Sequence, residues 1–339
     1  MGRDEPVYER SGMRTESIHH EEELHIAFCF NEKVVQYVLI TVASCVRTAT
    51  VPYHFHFIYP ETAETLLQES FHTFEQWRHA NPSFPTCRFS FTCISSADYE
   101  RLPSSPSLSK ATCLRLVIDR FLPNLEKVLY LDSDIFVTDS LLPLWETELG
   151  ETVLAAVEDG YIRPGCKGFQ YLRRVRLSGK YFNAGVLLMN LPQWKAQRIG
   201  ERSINEINTE PDRCRLFDQD ALNILLNGHW ICLDDKWNMT SSRQPHGSNW
   251  WKLSPWGCPP PEKGIFHFMG PAKPWSDRST SRIRFAYRDL AREVFSKSFI
   301  PSTSLVQCLR LWIPIPLYRL IRFILHPLIE LYKSRKTKV

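Results

Sequence analysis

No two of the ten cysteines stand in a CxxC spacing; the nearest neighbours are Cys87 and Cys93. That scatter excludes a compact cysteine-based zinc cluster. It predicts mostly reduced, buried thiols in a cytosolic protein rather than a disulfide framework. The first 23 residues are polar and charged and carry no apolar stretch, so a secretory signal peptide is not expected and a disordered polar tail is. Charge of one sign is also scarce: 41 basic against 37 acidic residues give a net +4. Such a balance excludes a general nucleic-acid binder, so the location of the charges matters more than their sum. No internal repeat is visible.

What is present is ample core material. At roughly 100–200 residues per domain, 339 residues with a hydrophobic fraction of 43% make one large domain or two smaller ones. From Leu24 onward, strands and helices alternate. His25–Phe30, Tyr53–Tyr59, Phe89–Cys93 and Val128–Leu131 predict strands. Val34–Arg47, Glu61–Ala80 and Ala111–Phe121 predict the helices between them. This rhythm argues for an α/β fold with one largely parallel sheet and helices on both faces. Ligands of such sheets sit beyond the carboxyl ends of the strands, where Asn31 and Asp132 fall. Val153–Val157 predicts another strand, ending at Glu158-Asp159. A basic loop with Gly160, Gly165, Gly168, Arg173, Arg174 and Arg176 follows, suited either to a mobile flap or to a solvated surface. Phe182-Asn183-Ala184-Gly185 opens the apolar strand Val186–Met189, Pro192 starts a helix, and Asp218-Gln219-Asp220 opens another. Residues 241–263 read as loop.

Asp132-Ser133-Asp134 is the most telling motif. Two carboxylates at the end of an apolar strand are costly unless a cation meets them. Residues two apart on extended backbone face one side, so both carboxylates can grip one ion. A hard divalent cation with positions left for phosphate is the usual arrangement for a nucleotide diphosphate. The pair alone is a weak signal, since most surface Asp-x-Asp triplets do nothing. A second segment, Phe266-His267-Phe268-Met269-Gly270-Pro271-Ala272-Lys273-Pro274-Trp275, adds an imidazole, a glycine that lets backbone approach a phosphate, and a lysine that offers it a point charge. An isolated histidine in such an apolar run is more often a satisfied core residue than a ligand.

The C-terminus changes character. Leu317, Leu320, Ile321, Ile324 and Leu328 follow helical spacing, with Arg319, Arg322, His326 and Glu330 on another face and Lys333, Arg335, Lys336 and Lys338 beyond. This basic amphipathic segment is too short and too charged to span a bilayer. It fits either a membrane surface or a helix packed on the domain, and Trp312, Tyr318, Phe323 and Tyr332 tip the reading towards the interface.

Taken in order, four segments resemble the bacterial lipopolysaccharide glycosyltransferases of glycosyltransferase family 8, of the galactosyltransferase and glucosyltransferase type. They are Ile26–Tyr37; Leu114-Arg115 through Asp132-Ser133-Asp134; Phe182–Asn190 with Asp218-Gln219-Asp220; and His267–Trp275. The resemblance runs from about His25 to Trp275. It implies a GT-A fold over 24–276, a tail over 1–23 and a helical, basic extension over 277–339. It implies a UDP-galactose or UDP-glucose donor, a lipopolysaccharide core acceptor, and work at the inner face of the cytoplasmic membrane. It implies manganese, with magnesium as the other ion the site would take, on Asp132, Asp134 and His267; two carboxylates and an imidazole favour manganese on ligand grounds as well. Asn31, Lys33, Arg115, Ser133, Asn183, Gly270 and Lys273 would meet the donor. Gln219, Asp218 and Glu158 (or its neighbour Asp159) would flank the transferred sugar. Transfer in this family retains anomeric configuration. An amide such as Gln219 is a poor nucleophile, which favours front-face departure and attack over double displacement. Asn31-Glu32-Lys33 departs from the aspartate-rich turn that typically holds base and ribose: hydrogen bonding remains, the carboxylate is lost.

Two other readings compete. Haloacid-dehalogenase-type phosphohydrolases also place Asp-x-Asp after an apolar strand, but usually early in the chain and without a partner to His267–Trp275. A peripheral membrane sugar-binding protein that has lost turnover would keep the fold without the chemistry; the intact metal set argues against it.

Overall fold

The computed structural model describes residues 23–104, 109–162, 168, 170–177, 180–240, 263–270, 273–276, 283–296 and 299. The amphipathic segment from Leu317, most of the 241–263 loop and all but the end of the N-terminal tail lie outside them.

The alternating pattern folds as expected into α/β layers. Strand β1 (Leu24–Cys29) is followed by helix α1 (Val35–Thr48), β2 (Tyr53–Pro60), α2 (Glu64–His79) and β3 (Cys87–Ile94). Every position of β2 is buried, as a strand covered on both faces requires. Strand β3 alternates in exposure, as an edge strand does. The short helix α3 (Ser96–Glu100) leads towards a 3-10 helix at Lys110–Val117 and α4 (Ile118–Phe121). The sequence predicted one continuous helix over 111–121; the chain instead winds tightly, capped by the Ser109 hydroxyl on the Ala111 N–H.

Next come β4 (Lys127–Leu131), β5 (Ile135–Val137), α5 (Leu142–Trp145), β6 (Leu154–Glu158) and α6 (Gln170–Arg174). Strand β7 (Phe182–Asn190) leads through α7 (Leu191–Ala196), α8 (Ile199–Thr209) and α9 (Asp218–Leu226) to β8 (Ile231–Cys232) and β9 (Met239–Thr240). β10 (Ile265–His267) and α10 (Arg284–Phe295) complete the described elements. Seven strands form the main sheet in the order β3-β2-β1-β4-β7-β6-β8. All its pairings are parallel except those of β7, which runs against both β4 and β6. That reversal brings the opening of β7, Phe182–Gly185, to the edge where β4 and β6 end. The β6–β7 ladder shifts register between Ala156 and Val157, a bulge beside the same edge.

A second, three-stranded sheet of order β5-β10-β9 joins the single sheet expected. β10 runs antiparallel to β5, with His267 opposite Ile135. Two apolar cores cover the two faces of the main sheet. One is built on α1, α2 and α10, the other on α4, α7, α8, α9 and the 3-10 helix. Within the stretch expected to form a separate extension, α10 packs on the main sheet's helical layer: Tyr287, Leu290 and Ala291 are fully buried in the α1 core. Among the described residues no helix is long and apolar enough to cross a membrane. None of the described cysteines is in a disulfide; Cys29, Cys45, Cys113 and Cys214 are buried.

Candidate active site

The acidic turn leaves β4 and enters β5, so Asp132 and Asp134 stand at the seam between the two sheets. Helix α1 holds that turn: the Thr41 hydroxyl lies 3.0 Å from the Ser133 carbonyl and 2.9 Å from that of Ile135. Ser133 thus contributes backbone here. His267, the last residue of β10, presents Nε2 at 3.2 Å from Asp134 Oδ1 and 3.6 Å from Asp132 Oδ2. Donor atoms of the three side chains all lie within 4.8 Å of one another. The trio inferred from separate motifs is therefore one cluster.

Residues not singled out in the sequence build its supports. Asn238 Oδ1 lies 3.0 Å from His267 Nδ1, and Asn238 Nδ2 donates to Asn183 Oδ1 at 2.9 Å. The second bond fixes which way the Asn238 amide faces, so its oxygen accepts from Nδ1–H of His267. Nε2 is left facing the carboxylates. This carbonyl–imidazole–ligand relay is the usual second layer of a metal site. Tyr130 donates to Asp132 Oδ1 at 2.7 Å. The Asp132 N–H donates to the Gly185 carbonyl at 2.9 Å, locking β4 to β7. Gly185 must be glycine: a Cβ there would lie 2.2 Å from His267 Cε1 and 3.0 Å from Asp132 Oδ2.

Arg115 sits beneath this cluster rather than in the open cleft, with only 4% of its surface exposed. Its guanidinium pairs with Asp132 Oδ1 at 2.9 Å and Asp218 Oδ2 at 3.0 Å, donates to the Ala184 carbonyl, and stacks 4.4 Å above the Tyr130 ring. One buried cation thereby ties the acidic turn, the β7 opening and the α9 start together. Burial pushes Asp218 up to about 6 despite the pull of Arg115, and Asp132 adds to the rise. Gln219 has its amide fixed at both ends: Oε1 accepts from the Ala184 N–H at 2.9 Å and Nε2 donates to the Tyr181 hydroxyl at 3.3 Å. The residue before them, Phe217, holds φ +49° and ψ −115°, a strained conformation for a bulky side chain.

The remaining candidates divide. Lys273 reaches Asp134 Oδ2 and donates to the Phe268 carbonyl at 2.9 Å. Burial would raise Asp134, but the His267 ring and the Lys273 ammonium outweigh it and hold the carboxyl well below the usual range. Gly270 is exposed, with φ +71° and open space where a Cβ would stand. Asn31 is buried; its Oδ1 accepts from Lys33 N–H at 3.2 Å and its Nδ2 donates to Ser109 Oγ at 2.9 Å. Lys33 itself is exposed, and its backbone is what Asn31 caps. Of the pair ending β6, Asp159 is the one tied inward. Asp159 Oδ2 accepts from Asn183 Nδ2 at 3.3 Å, and Oδ1 caps the Tyr161 and Ile162 N–H groups. Glu158, the last residue of β6, pairs with Phe182 in the ladder and is half-buried.

The donor set fits a divalent cation: two carboxylates, an imidazole nitrogen aimed by the Asn238 contact to Nδ1, and a lysine competing for one carboxylate. Such an arrangement can hold an ion against an incoming diphosphate.

Comparison with known proteins agrees with the geometry. The family model described as "Glycosyl transferase family 8" matches residues 25–279. The lipopolysaccharide 1,3-galactosyltransferase of Salmonella typhimurium is 35% identical over 188 residues, covering 52% of this chain and 54% of that protein. The lipopolysaccharide glucosyltransferase WaaO of Escherichia coli is 35% identical over 182 residues, 52% of each chain. The match thus spans about half the length of these relatives. The crystal structure of the galactosyltransferase LgtC with donor and acceptor sugar analogues shares the fold at a TM-score of 0.64 and 24% identity, covering 81% of this chain and 98% of that one. With three quarters of its length matched by one family model, this chain belongs to glycosyl transferase family 8.

Proposed function

We propose that the protein is a divalent-metal-dependent, retaining hexosyltransferase that moves galactose or glucose from a UDP-sugar to a lipopolysaccharide core acceptor. The convergence of Asp132, Asp134 and His267 within 4.8 Å carries this reading, beside a lysine already engaged with Asp134. The relatives named as lipopolysaccharide galactosyl- and glucosyltransferases support the donor and acceptor classes. Family membership does not favour the phosphohydrolase or the inactive binding protein.

When bound, manganese or a similar ion supplies Lewis-acid stabilisation of the leaving diphosphate. Asp132 and Asp134 would hold it, and His267 would complete the set in the orientation set by Asn238. Lys273 moves from Asp134 to a phosphate oxygen and shares the charge developing there. The open backbone at Gly270 lets the diphosphate approach. Asn31, with Lys33 beside it, faces the nucleoside end. Asn183, held by Asp159 and Asn238, and Asp218 line the transferred sugar. Gln219, fixed at both ends of its amide, presents a dipole at the anomeric carbon and no nucleophile. That supports front-face transfer, in which the acceptor hydroxyl attacks on the side from which UDP departs. Of the two carboxylates at the end of β6, we assign the orienting role to Asp159, which accepts from Asn183.

The deciding experiment measures UDP release from a panel of UDP-sugars with manganese, with and without lipopolysaccharide core, using Asp134→Ala as control. Release from one sugar that disappears in the variant supports the proposal. Full release by the variant, or release equal with and without metal, sinks it. We place the enzyme on the cytoplasmic membrane surface through the basic segment near the C-terminus. Removing residues 309–339 should release it from anionic vesicles while donor hydrolysis persists; unchanged vesicle binding would overturn that placement.

A further inference from the structure

At the opposite ends of the strands from the acidic turn, three histidines gather. His25 is the second residue of β1, and His54 and His56 are the second and fourth of β2. His25 and His54 are register neighbours, and residues two apart on β2 share a face, so all three rings meet. His25 Nδ1 lies 3.0 Å from His56 Nε2, the His54 and His56 ring centroids are 4.1 Å apart, and one nitrogen from each ring falls within 4.8 Å of the others. His54 and His56 are buried. His54 Nε2 bonds Ser90 Oγ at 2.7 Å, and its Nδ1 accepts from Arg88 at 2.9 Å with the Glu23 carboxylate 3.6 Å away. Arg88 also pairs with Glu23 at 3.3 Å through a side chain that is 62% exposed.

We propose that His25, His54 and His56, with Glu23 as a fourth donor, form a binding site for a zinc-class transition-metal ion, distinct from the acidic pair. Three imidazoles and a carboxylate are a tetrahedral zinc donor set, whose nitrogens stand about 3.3 Å apart around the ion. The strands fix the three Cα positions, so side-chain rotation alone closes the set. Burial and Arg88 push all three histidines down, neighbouring rings add to this at His25 and His56, and Glu23 opposes it at His25; His56 falls to about 3, which favours the neutral, ligating form. Ser90 orients the His54 ring as a second-layer partner would. The Arg88 guanidinium occupies the cation's position against Glu23 and His54. It has to swing into solvent for the ion to enter, so it competes with the metal.

The test uses the full chain carrying Asp132→Ala and Asp134→Ala, which disables the other cluster. Zinc is titrated against a chromophoric chelator, and cobalt is followed by its visible bands. The expected result is one tight equivalent and the intense bands of tetrahedral cobalt without a thiolate charge-transfer band. Adding His25→Ala should abolish both. Arg88→Gln should tighten binding by about twofold to fivefold, the worth of an exposed ion pair, and Glu23→Gln should weaken it. These two lie towards the surface and report even if His25→Ala fails to fold. No binding in the parent, binding that survives His25→Ala, or an Arg88→Gln that leaves affinity unchanged would overturn the proposal.

Discussion

Asn238 has no motif around it, yet it sets the tautomer of His267. Asn238→Ala leaves Nδ1 of His267 without its acceptor, so affinity for manganese should fall by about tenfold to a hundredfold. The measurement is the manganese dependence of UDP release, with the melting temperature as a check on folding. Gly185→Ala acts on the same ring by volume: the added methyl would meet His267 Cε1 at 2.2 Å. We expect a folded protein with a comparable loss of metal affinity; wild-type affinity would remove Gly185 from the argument. Asp132, Asp134, His267 and Lys273 were legible because their chemistry is rare at those positions and follows in order. Asn238, Tyr130 and the need for glycine at 185 were not, because each arises from strand pairing that no local pattern announces. Arg115 was found, but as a donor contact; its place as a buried tie between Asp132 and Asp218 needed the fold.

Among the elements, the strands with continuous apolar runs were the readable ones, since burial on both faces leaves no alternation to misjudge. The reversed direction of β7 was not readable: antiparallel and parallel strands carry the same apolar run, and only the neighbours decide. The short strands β9 and β10 escaped for want of length, and with them the second sheet. Arg115 joins the 3-10 helix to β4 and α9. Arg115→Leu strands the buried Asp218 carboxylate and takes a partner from the half-buried Asp132, which should cost about 3–5 kcal/mol of stability, read from urea unfolding midpoints. Helix α10 offers an opposite case. Tyr287 is fully buried, and its hydroxyl finds no hydrogen-bond partner among the described residues. Tyr287→Phe should therefore raise stability by about 1 kcal/mol; a destabilised variant would mean that the hydroxyl is satisfied after all.

For the whole molecule, pH is the revealing variable. His25, His54 and His56 are all held below their ordinary value, His56 at about 3, with burial the first cause. Arg88 and Glu23 face them from the neighbouring chain segments. The unfolded chain takes up these protons near pH 6.5 and the folded one does not, so stability is lost as pH falls from there. Asp134, also held low, adds a further loss below about pH 4. Asp218 works in the opposite sense: raised to about 6, it binds its proton in the folded state first and returns some stability between pH 6 and about 4. Asp119 and Asp220, raised by burial as well, act in the same sense as Asp218, so the histidines show most clearly between pH 7 and 6, where the melting temperature should drop as pH falls. A flat or rising profile would contradict the neutral histidine cluster.

The division of the proposed metal site between the turn after β4 and β10 also sets the order in which its parts appear during synthesis. Asp132 and Asp134 emerge early from the ribosome, but His267 and Lys273 follow only after more than a hundred further residues. Lys273 and its neighbours are then held by Arg288 of α10, which donates to the carbonyls of Pro274 and Ser276 at 2.7 and 3.0 Å. A chain interrupted before α10 therefore lacks the arginine that steadies this segment, and one interrupted before β10 holds the acidic pair without its imidazole. The parts of the proposed centre thus appear in order, the acidic turn first and the arginine that steadies Lys273 last.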